Sequence, residues 1–155
     1  MENTRYIISP GQNIVIDETM VPFRGRTILK QYIPGKRHKY GVKEFKLCDT
    51  AGVTYNMHIY SSKNEDRKGK SLGDHVVSLL IEPYLNEGRI LYTDNYYTSL
   101  SLASFLNQNN TGLTGTLRKN RSGLPKELVL SQKLEKGQIA SAVQNNVLVT
   151  KWHYH

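Results

Sequence analysis

The sequence is poor in cysteine and in long apolar runs. Cys48 is the single cysteine among 155 residues, so neither an intrachain disulfide nor a cysteine-based zinc site can form. No apolar run approaches the roughly 18 residues of a membrane span, and the first residues show no signal-peptide pattern. We therefore expect a protein of a reducing compartment, cytosolic or nuclear, with no membrane partner and no zinc.

Several sequence signatures of enzymes are also missing. The chain has no glycine-rich Walker loop for a nucleotide phosphate, and no G-x-S-x-G motif that would present a nucleophilic serine. Its five histidines form no tight metal-ligand motif. These absences argue against a P-loop nucleotide-binding protein and against a serine hydrolase.

Acidic residues are few beside the basic ones. The 21 Lys and Arg against 13 Asp and Glu leave a net charge of +8 and a pI near 9.6. Such an excess favours a polyanionic partner, although a charge cluster is often only a solvated face. Because two clusters occur in one small chain, we expect nucleic-acid contacts from these residues: Arg24, Arg26, Lys30, Lys36, Arg37, Lys39, Arg118, Lys119 and Arg121.

The pattern of apolar residues predicts a mixed α/β sheet with flanking helices. A helix is expected after a capping box at Ser71–Asp74, and a second one after Ser99 or Ser101. Pro22–Lys39 is expected to be an irregular connection, with a possible strand at Ile28–Ile33. The other predicted strands are Ile14–Asp17, Tyr40–Cys48, Val53–Ile59, Arg89–Asp94, Leu113–Leu117 and Val147–Trp152. Three sequential strands followed by strands that alternate with helices indicate the ribonuclease H-like (RNase H-like) layout.

Two aspartates follow buried strands and are candidates for metal ligands. Asp17 closes the run Ile14–Ile16, and Asp94 closes the run Ile90–Thr93. A carboxylate in this position lies where a sheet meets solvent, and two of them on adjacent strands can share Mg²⁺, which prefers hard oxygen ligands. An aspartate after a strand can also be a simple turn former. Position alone does not decide between Asp17 and the adjacent Glu18.

The two aspartates lie in longer segments that form a recognisable pattern together with other parts of the chain: Ile16–Arg26, Gln31–Lys36, Lys39–Gly41, Leu47–Asp49, Thr93–Ser99 and Gly115–Arg121. This pattern resembles the piggyBac transposase catalytic domain. The resemblance covers roughly residues 8–152, and the segments around Asp17 and Asp94 are its most specific part.

This resemblance implies an RNase H-like core with three metal-binding aspartates, of which Asp17 matches the first and Asp94 the second. The third aspartate of the family lies downstream, so the two-metal site for Mg²⁺ or Mn²⁺ is expected to be incomplete in this chain. Residues 1–121 correspond to the catalytic core, and residues 122–155 to the start of an inserted segment or to a partial extension. The family acts on DNA at transposon ends and TTAA targets, as dimers, which implies a nuclear protein.

Two functions remain open at this point. The chain is either the catalytic-core fragment of a DDE-type transposase, inactive in strand transfer by itself, or a domesticated protein that kept the fold for DNA binding or interaction without the chemistry. A glycosidase with paired carboxylates has little support. If six basic residues contact phosphates, the logarithm of DNA affinity should fall against the logarithm of salt with a slope of about −5. Tyr96 and Tyr97 are candidates for stacking on a base, but core packing is favoured for at least one.

Overall fold

The computed structural model describes residues 8–61, 67, 69–125 and 133–154. Within these ranges the chain forms eight strands, two α-helices and one short 3-10 helix. The strands are β1 (Asn13–Pro22), β2 (Lys30–Tyr32), β3 (Tyr40–Asp49), β4 (Thr54–Ile59), β5 (Ile90–Thr93), β6 (Gly112–Gly115), β7 (Ile139–Gln144) and β8 (Val147–Trp152). The helices are α1 (Leu72–Ile81), the 3-10 turn Glu82–Tyr84 that follows it, and α2 (Leu100–Gln108).

The main sheet is mixed, as the sequence pattern predicts. Its strand order is β2-β3-β1-β5-β6, and β4 also pairs with β3. β1, β2 and β4 pair antiparallel with β3, whereas β5 pairs parallel with β1 and β6 parallel with β5. The parallel pairs require crossovers, which α1 and α2 supply. The RNase H-like mixed sheet with flanking helices is therefore confirmed.

Two strands differ from the sequence expectation. β1 runs six positions further than the apolar run suggests, because it pairs with β3 as far as Pro22 opposite Gly41. Its second half alternates half-buried Glu18 and Met20 with exposed Thr19, and this mostly polar stretch gives a weak strand signal. β7 was not expected either, because five of its six residues are not fully buried and its apolar pattern is weak.

Both helices pack on one face of the main sheet and enclose one core. Ile14, Ile16 and Leu91 supply the centre of the sheet face and are 0–1% exposed. The helices add the buried apolar residues Val76, Val77, Leu80, Ile81, Leu102 and Leu106. Fully burying one such side chain stabilises the fold by about 1.5–3 kcal/mol. This core fixes the backbones of β1 and β5, the two central strands.

Side chains at the helix starts and at one turn make the bonds that the sequence predicts. Ser71 caps α1 by accepting from the Asp74 amide at 3.1 Å, and its hydroxyl donates to the Asp74 carboxylate at 2.7 Å. Ser99 caps α2 by accepting from the Leu102 amide at 3.0 Å. Asp49 accepts from the Ala51 and Val53 amides, both at 2.9 Å. Asp49 and Asp74 therefore have local structural roles.

The last two strands form a separate hairpin. β7 and β8 pair antiparallel, and the turn between them is formed by Asn145 and Asn146, both in the left-handed region at φ 50° and 63°. Ala142 and Val149 on the inner side of the hairpin pack with Leu124 in a small second cluster. The proposed boundary between residues 1–121 and 122–155 remains a prediction. No helix within the described ranges has the length and apolarity that crossing a membrane would demand.

A buried arginine ties the chain before β1 to the chain before β5. Arg89 is 6% exposed and donates to Ser9 Oγ at 2.9 Å and to the Pro10 carbonyl at 3.2 Å. It also donates to the Tyr84 carbonyl at 3.5 Å and forms an ion pair with Glu87. These contacts anchor the entry to β1, so the position of that strand depends on them.

We expect Arg89→Met to lower the free energy of unfolding by about 3 kcal/mol, because buried acceptors lose their charged donor. Urea unfolding followed by circular dichroism measures the change. The control is the exposed arginine variant Arg37→Met, which should stay within about 0.5 kcal/mol of the parent chain. Equal stabilities of the two variants would contradict the anchoring role of Arg89.

Candidate active site

The parallel pairing of β1 with β5 brings the two predicted metal ligands together. The register pairs Ile16 with Thr93; Asp17 is the next residue of β1, and Asp94 is the first residue after β5. Neighbouring strands lie about 4.8 Å apart, and in-register residues of a parallel pair point to the same face. Asp17 and Asp94 line a single open cleft of about 450 Å³. Because Ile14 and Ile16 face the core, Asp17 lies on the sheet face away from the helices.

Glu18 is held outside this cleft. Its carboxylate forms an ion pair with Lys36 at 2.9 Å and accepts from the Tyr97 hydroxyl at 3.4 Å. Burial acts to raise the pKa of Glu18, but the hydrogen bond and the charge of Lys36 outweigh it, so the pKa is lowered. Of the two adjacent acids, Asp17 is therefore the one that lines the cleft with Asp94.

The electrostatic surroundings of Asp17 disfavour its negative charge. Burial is the largest influence and raises the pKa of Asp17, and the nearby Glu18 and Asp94 carboxylates raise it further. The Glu18 backbone amide opposes this by donating to Asp17 Oδ1 at 2.8 Å. Like charges that crowd one site are relieved by a divalent cation, which favours the ionised form of both ligands.

The loop after β5 fixes the direction of the Asp94 side chain. The Tyr96 amide donates to Asp94 Oδ1 at 2.8 Å, and the Thr98 hydroxyl donates to the Asp94 carbonyl at 2.6 Å. Thr98 also shares a hydroxyl hydrogen bond with Thr93 at 2.9 Å. We call residues 94–98 the Asp94 loop. Its internal bonds hold the carboxylate against the end of β5.

Two of the predicted nucleic-acid residues contact this loop. Arg118 Nε donates to Asn95 Oδ1 at 3.0 Å, and Arg121 Nη2 donates to the backbone carbonyls of Asn95 and Tyr96. Both arginines follow β6, which is the neighbour of β5 in the sheet. They bind the Asp94 loop from the side of β6, and a phosphate contact by their remaining donors stays a prediction.

The other basic residues divide into two groups. Lys36 is paired with Glu18, and Lys30 donates to the Gly25 carbonyl at 3.1 Å. The second group is exposed and makes no side-chain hydrogen bond or ion pair with another residue of the described ranges: Arg24, Arg26, Arg37, Lys39 and Lys119. Four of these five lie in the connection between β1 and β3, which directly follows the strand that carries Asp17.

Two carboxylates fit part of the coordination shell of a hard divalent cation. In the part of the chain that the structure describes, no three His, Cys, Asp or Glu side chains gather as a metal site. Mg²⁺ is commonly held by one or two carboxylates with water completing its octahedral shell. Asp17 and Asp94 fit this role, and water would complete the shell.

Aromatic residues near the site have different surroundings. Tyr97 is 1% exposed and packs edge-on against Phe45, so it belongs to the core as expected. Tyr96 is half-buried, with the Lys43 ammonium 5.3 Å from its ring centroid. Trp152, at the end of β8, lines the cleft together with Asp17 and Asp94. The sequence showed Trp152 only as a strand end, and nothing in its local pattern indicates that it lies beside residues so distant in the chain.

The sheet order and the cleft beside β1 and the end of β5 define an RNase H-like domain of the transposase type. The piggyBac transposase in a cryo-EM structure of its synaptic complex with hairpin DNA has a similar fold, with a TM-score of 0.86 and 29% sequence identity. The match covers 95% of this chain and 31% of that one. A family profile described as Transposase IS4 matches residues 1–155, and the chain therefore belongs to this transposase family.

Two curated human relatives support the same relationship. PiggyBac transposable element-derived protein 3 is 29% identical over 147 residues, which covers 88% of this chain and 24% of the relative. The chimeric ERCC6-PGBD3 protein is also 29% identical over 147 residues and is covered to 14% of its length. The resemblance to the piggyBac family is thus confirmed, and the chain spans about a quarter or less of each of these relatives.

Gly115 allows β6 to approach the Asp94 loop closely. A Cβ at this position would lie 2.7 Å from the Thr93 carbonyl oxygen and still closer to Thr98 Oγ1. Real Cβ atoms do not approach backbone oxygens this closely, so any side chain would push β6 away from β5 or break the Thr93–Thr98 hydrogen bond.

We expect Gly115→Ala to lower the free energy of unfolding by about 2 kcal/mol, through overpacking, and to loosen the Asp94 loop. Urea unfolding measures the first effect, and faster hydrogen exchange at the Tyr96 and Thr98 amides measures the second. Gly35→Ala is the control, because a Cβ at Gly35 meets no atom within 4 Å. Unchanged exchange in the Gly115 variant would show that the loop does not depend on this close contact.

Proposed function

We propose that this chain is a metal-binding catalytic domain for DNA cleavage and strand transfer, acting as part of a longer transposase. The observation that carries the proposal is the register of β1 and β5, which puts Asp17 and Asp94 side by side in one cleft. The membership of the Transposase IS4 family supports the reaction class. The piggyBac neighbour, whose structure is a complex with hairpin DNA, supports DNA as the substrate.

Asp17 and Asp94 are the residues that would hold Mg²⁺ or Mn²⁺. When bound, such ions activate an attacking oxygen and stabilise the leaving oxygen of a phosphoryl displacement. The contribution of this chain is to orient the two carboxylates. One oxygen of each accepts a backbone amide hydrogen, from Glu18 in one case and from Tyr96 in the other. Preorganised ligands lose little freedom when the cation binds.

Two carboxylates hold a cation weakly. We therefore propose that the 155-residue chain binds metal but does not cleave or join DNA by itself, and that the complete protein supplies further ligands. Homodimer formation and a nuclear location belong to the same proposal, as properties of the complete protein. Metal-dependent cleavage of a transposon-end duplex by this chain alone would contradict the proposed inactivity.

The metal site can be tested through Trp152, the single tryptophan of the chain. Mn²⁺ is paramagnetic, and at the two aspartates it would lie in the cleft that Trp152 lines. We expect Mn²⁺ to broaden the indole N–H signal in a ¹H–¹⁵N spectrum, and excess Mg²⁺ to reverse the broadening by competition. Asp17→Asn and Asp94→Asn should each reduce the broadening at least several-fold.

Glu82→Gln is the matched control, because it removes an exposed carboxylate that does not line the cleft. Circular dichroism of each variant establishes that the fold is kept. Equal broadening in the two Asp variants and in the Glu82 variant would show that the Mn²⁺ effect comes from non-specific binding. That result would contradict the proposed metal site.

We further propose that the five exposed basic residues without a side-chain partner in the described ranges contact DNA phosphates. Each neutralised phosphate contributes about −0.9 to the slope of log affinity against log salt, so five contacts predict a slope of about −4.5. Arg24→Ala should reduce the magnitude of this slope by about 0.9 for any DNA sequence. Fluorescence anisotropy with a labelled duplex at several salt concentrations measures it.

Lys70→Ala is the charge-matched control. Lys70 donates to Ser78 of α1 and lies over the Phe105 ring of α2, so it belongs to the helical face of the sheet. Its replacement should leave the slope unchanged. If both variants change the slope equally, DNA binding depends on net charge alone rather than on the connection between β1 and β3.

A non-catalytic DNA-binding or interaction protein is the second candidate function. It is favoured by one observation, that within the described ranges only two acidic side chains face the cleft. This function requires a steep salt slope without any Mn²⁺ response at Trp152. The two experiments above therefore separate the two functions.

A further inference from the structure

Trp152 is the more exposed of the two aromatic residues that line the cleft with Asp17 and Asp94. Its side chain is 54% exposed, although a tryptophan usually buries most of its surface. Tyr92 on β5 is 37% exposed and lines the same cleft, next to Thr114 and Thr116. The cleft thus combines an open indole face, hydroxyl groups and two carboxylates.

The backbone on both sides of Trp152 is held in place. Trp152 pairs with Ile139 in the hairpin. The pairing continues beyond Trp152: the His153 amide donates to the Gln138 carbonyl at 3.2 Å, and the Gly137 amide donates to the His153 carbonyl at 3.0 Å. The inner side of the hairpin packs on Leu124. The indole is therefore presented by a rigid element, which lowers the entropy lost when a ligand stacks on it.

We propose that Trp152 is the stacking platform for an unpaired nucleobase at a DNA end whose phosphate lies at Asp17 and Asp94. This inference rests on the proposed function and adds a binding role for one residue. Stacking on an aromatic side chain is available to any base, but only if a face of that base is uncovered. A base inside a duplex has both faces covered by its neighbours, and the last base of a blunt end has one free face but is held in its base pair. An unpaired base can turn onto the indole without breaking a pair, so the platform favours a frayed or single-stranded end.

The two carboxylates of the cleft argue against an apolar polypeptide segment as the occupant. A segment that covered Trp152 with apolar side chains would also remove water from the adjacent Asp17 and Asp94 carboxylates, and burying an uncompensated charge is costly. A nucleotide avoids this cost, since its base covers the indole while its phosphate stays in the hydrated part of the cleft, where a cation compensates the charges.

The fluorescence of Trp152 tests the proposal directly, because no other tryptophan contributes. The probes are two duplexes of the same sequence, one with blunt ends and one with a short single-stranded overhang, each with Mg²⁺. We expect the overhang duplex to quench the fluorescence of Trp152 and to bind roughly ten-fold more tightly than the blunt one. Trp152→Ala, followed by anisotropy of labelled DNA, should remove this preference.

Two further variants serve as controls for the stacking role of Trp152. Trp152→Phe keeps an aromatic face and should retain most of the preference for the overhang. Tyr154→Ala removes an aromatic residue that is 76% exposed but does not line the cleft, and it should change nothing. Equal binding of both duplexes, or an equal loss for both in Trp152→Ala, overturns the stacking role.

The outcome is distinguishable from that of the metal proposal. If Mn²⁺ broadens the Trp152 signal in an Asp94-dependent way but the overhang duplex binds no more tightly than the blunt one, only the stacking proposal is contradicted. A preference for the overhang without any Mn²⁺ response defeats the metal proposal alone, and leaves the non-catalytic DNA-binding function. Absence of DNA binding by the parent chain defeats the stacking role together with the proposed DNA substrate.

Discussion

The parallel pairing of β1 with β5 is the constraint on which the rest of the structure depends. It joins the antiparallel half of the sheet to the parallel half, and it sets the register in which Ile16 faces Thr93. A shift of one residue would turn Asp17 into the core and Ile16 out to solvent. The apolar residues of the two strands therefore specify the position of the carboxylates, because burial of Ile14, Ile16 and Leu91 leaves only one favourable register.

The second aspartate depends on polar contacts rather than on the core. Asp94 follows the last paired residue of β5, and its loop is held by hydroxyls of Thr93 and Thr98 and by the guanidinium groups of Arg118 and Arg121. Arg118 and Arg121 thus have hydrogen-bond partners within the protein, independently of any ligand. A basic cluster in a sequence does not distinguish arginines that bind a neighbouring loop from lysines and arginines left open to solvent.

The sequence predicted much of the fold and part of the site, for physical reasons that differ between elements. Apolar runs followed by an acid revealed the buried part of β1 and the end of β5, and capping serines revealed both helices. The sequence did not predict the polar second half of β1 or the weakly patterned β7, because partner strands rather than their own side chains stabilise them. The sequence did not predict that Trp152 lines the cleft. The position of Trp152 is set by the packing of the hairpin on Leu124, which is a tertiary contact without a local sequence signal.

The distribution of charge has a thermodynamic consequence. Asp17, Glu18 and Asp94 gather negative charge at one place on the sheet, in a chain whose net charge is +8. A phosphate that enters the cleft without a cation meets repulsion there, whereas the same phosphate with a cation is attracted. If the proposed cation and phosphate both bind there, their occupation of the cleft is positively cooperative, and linkage requires that each raises the affinity for the other by the same factor.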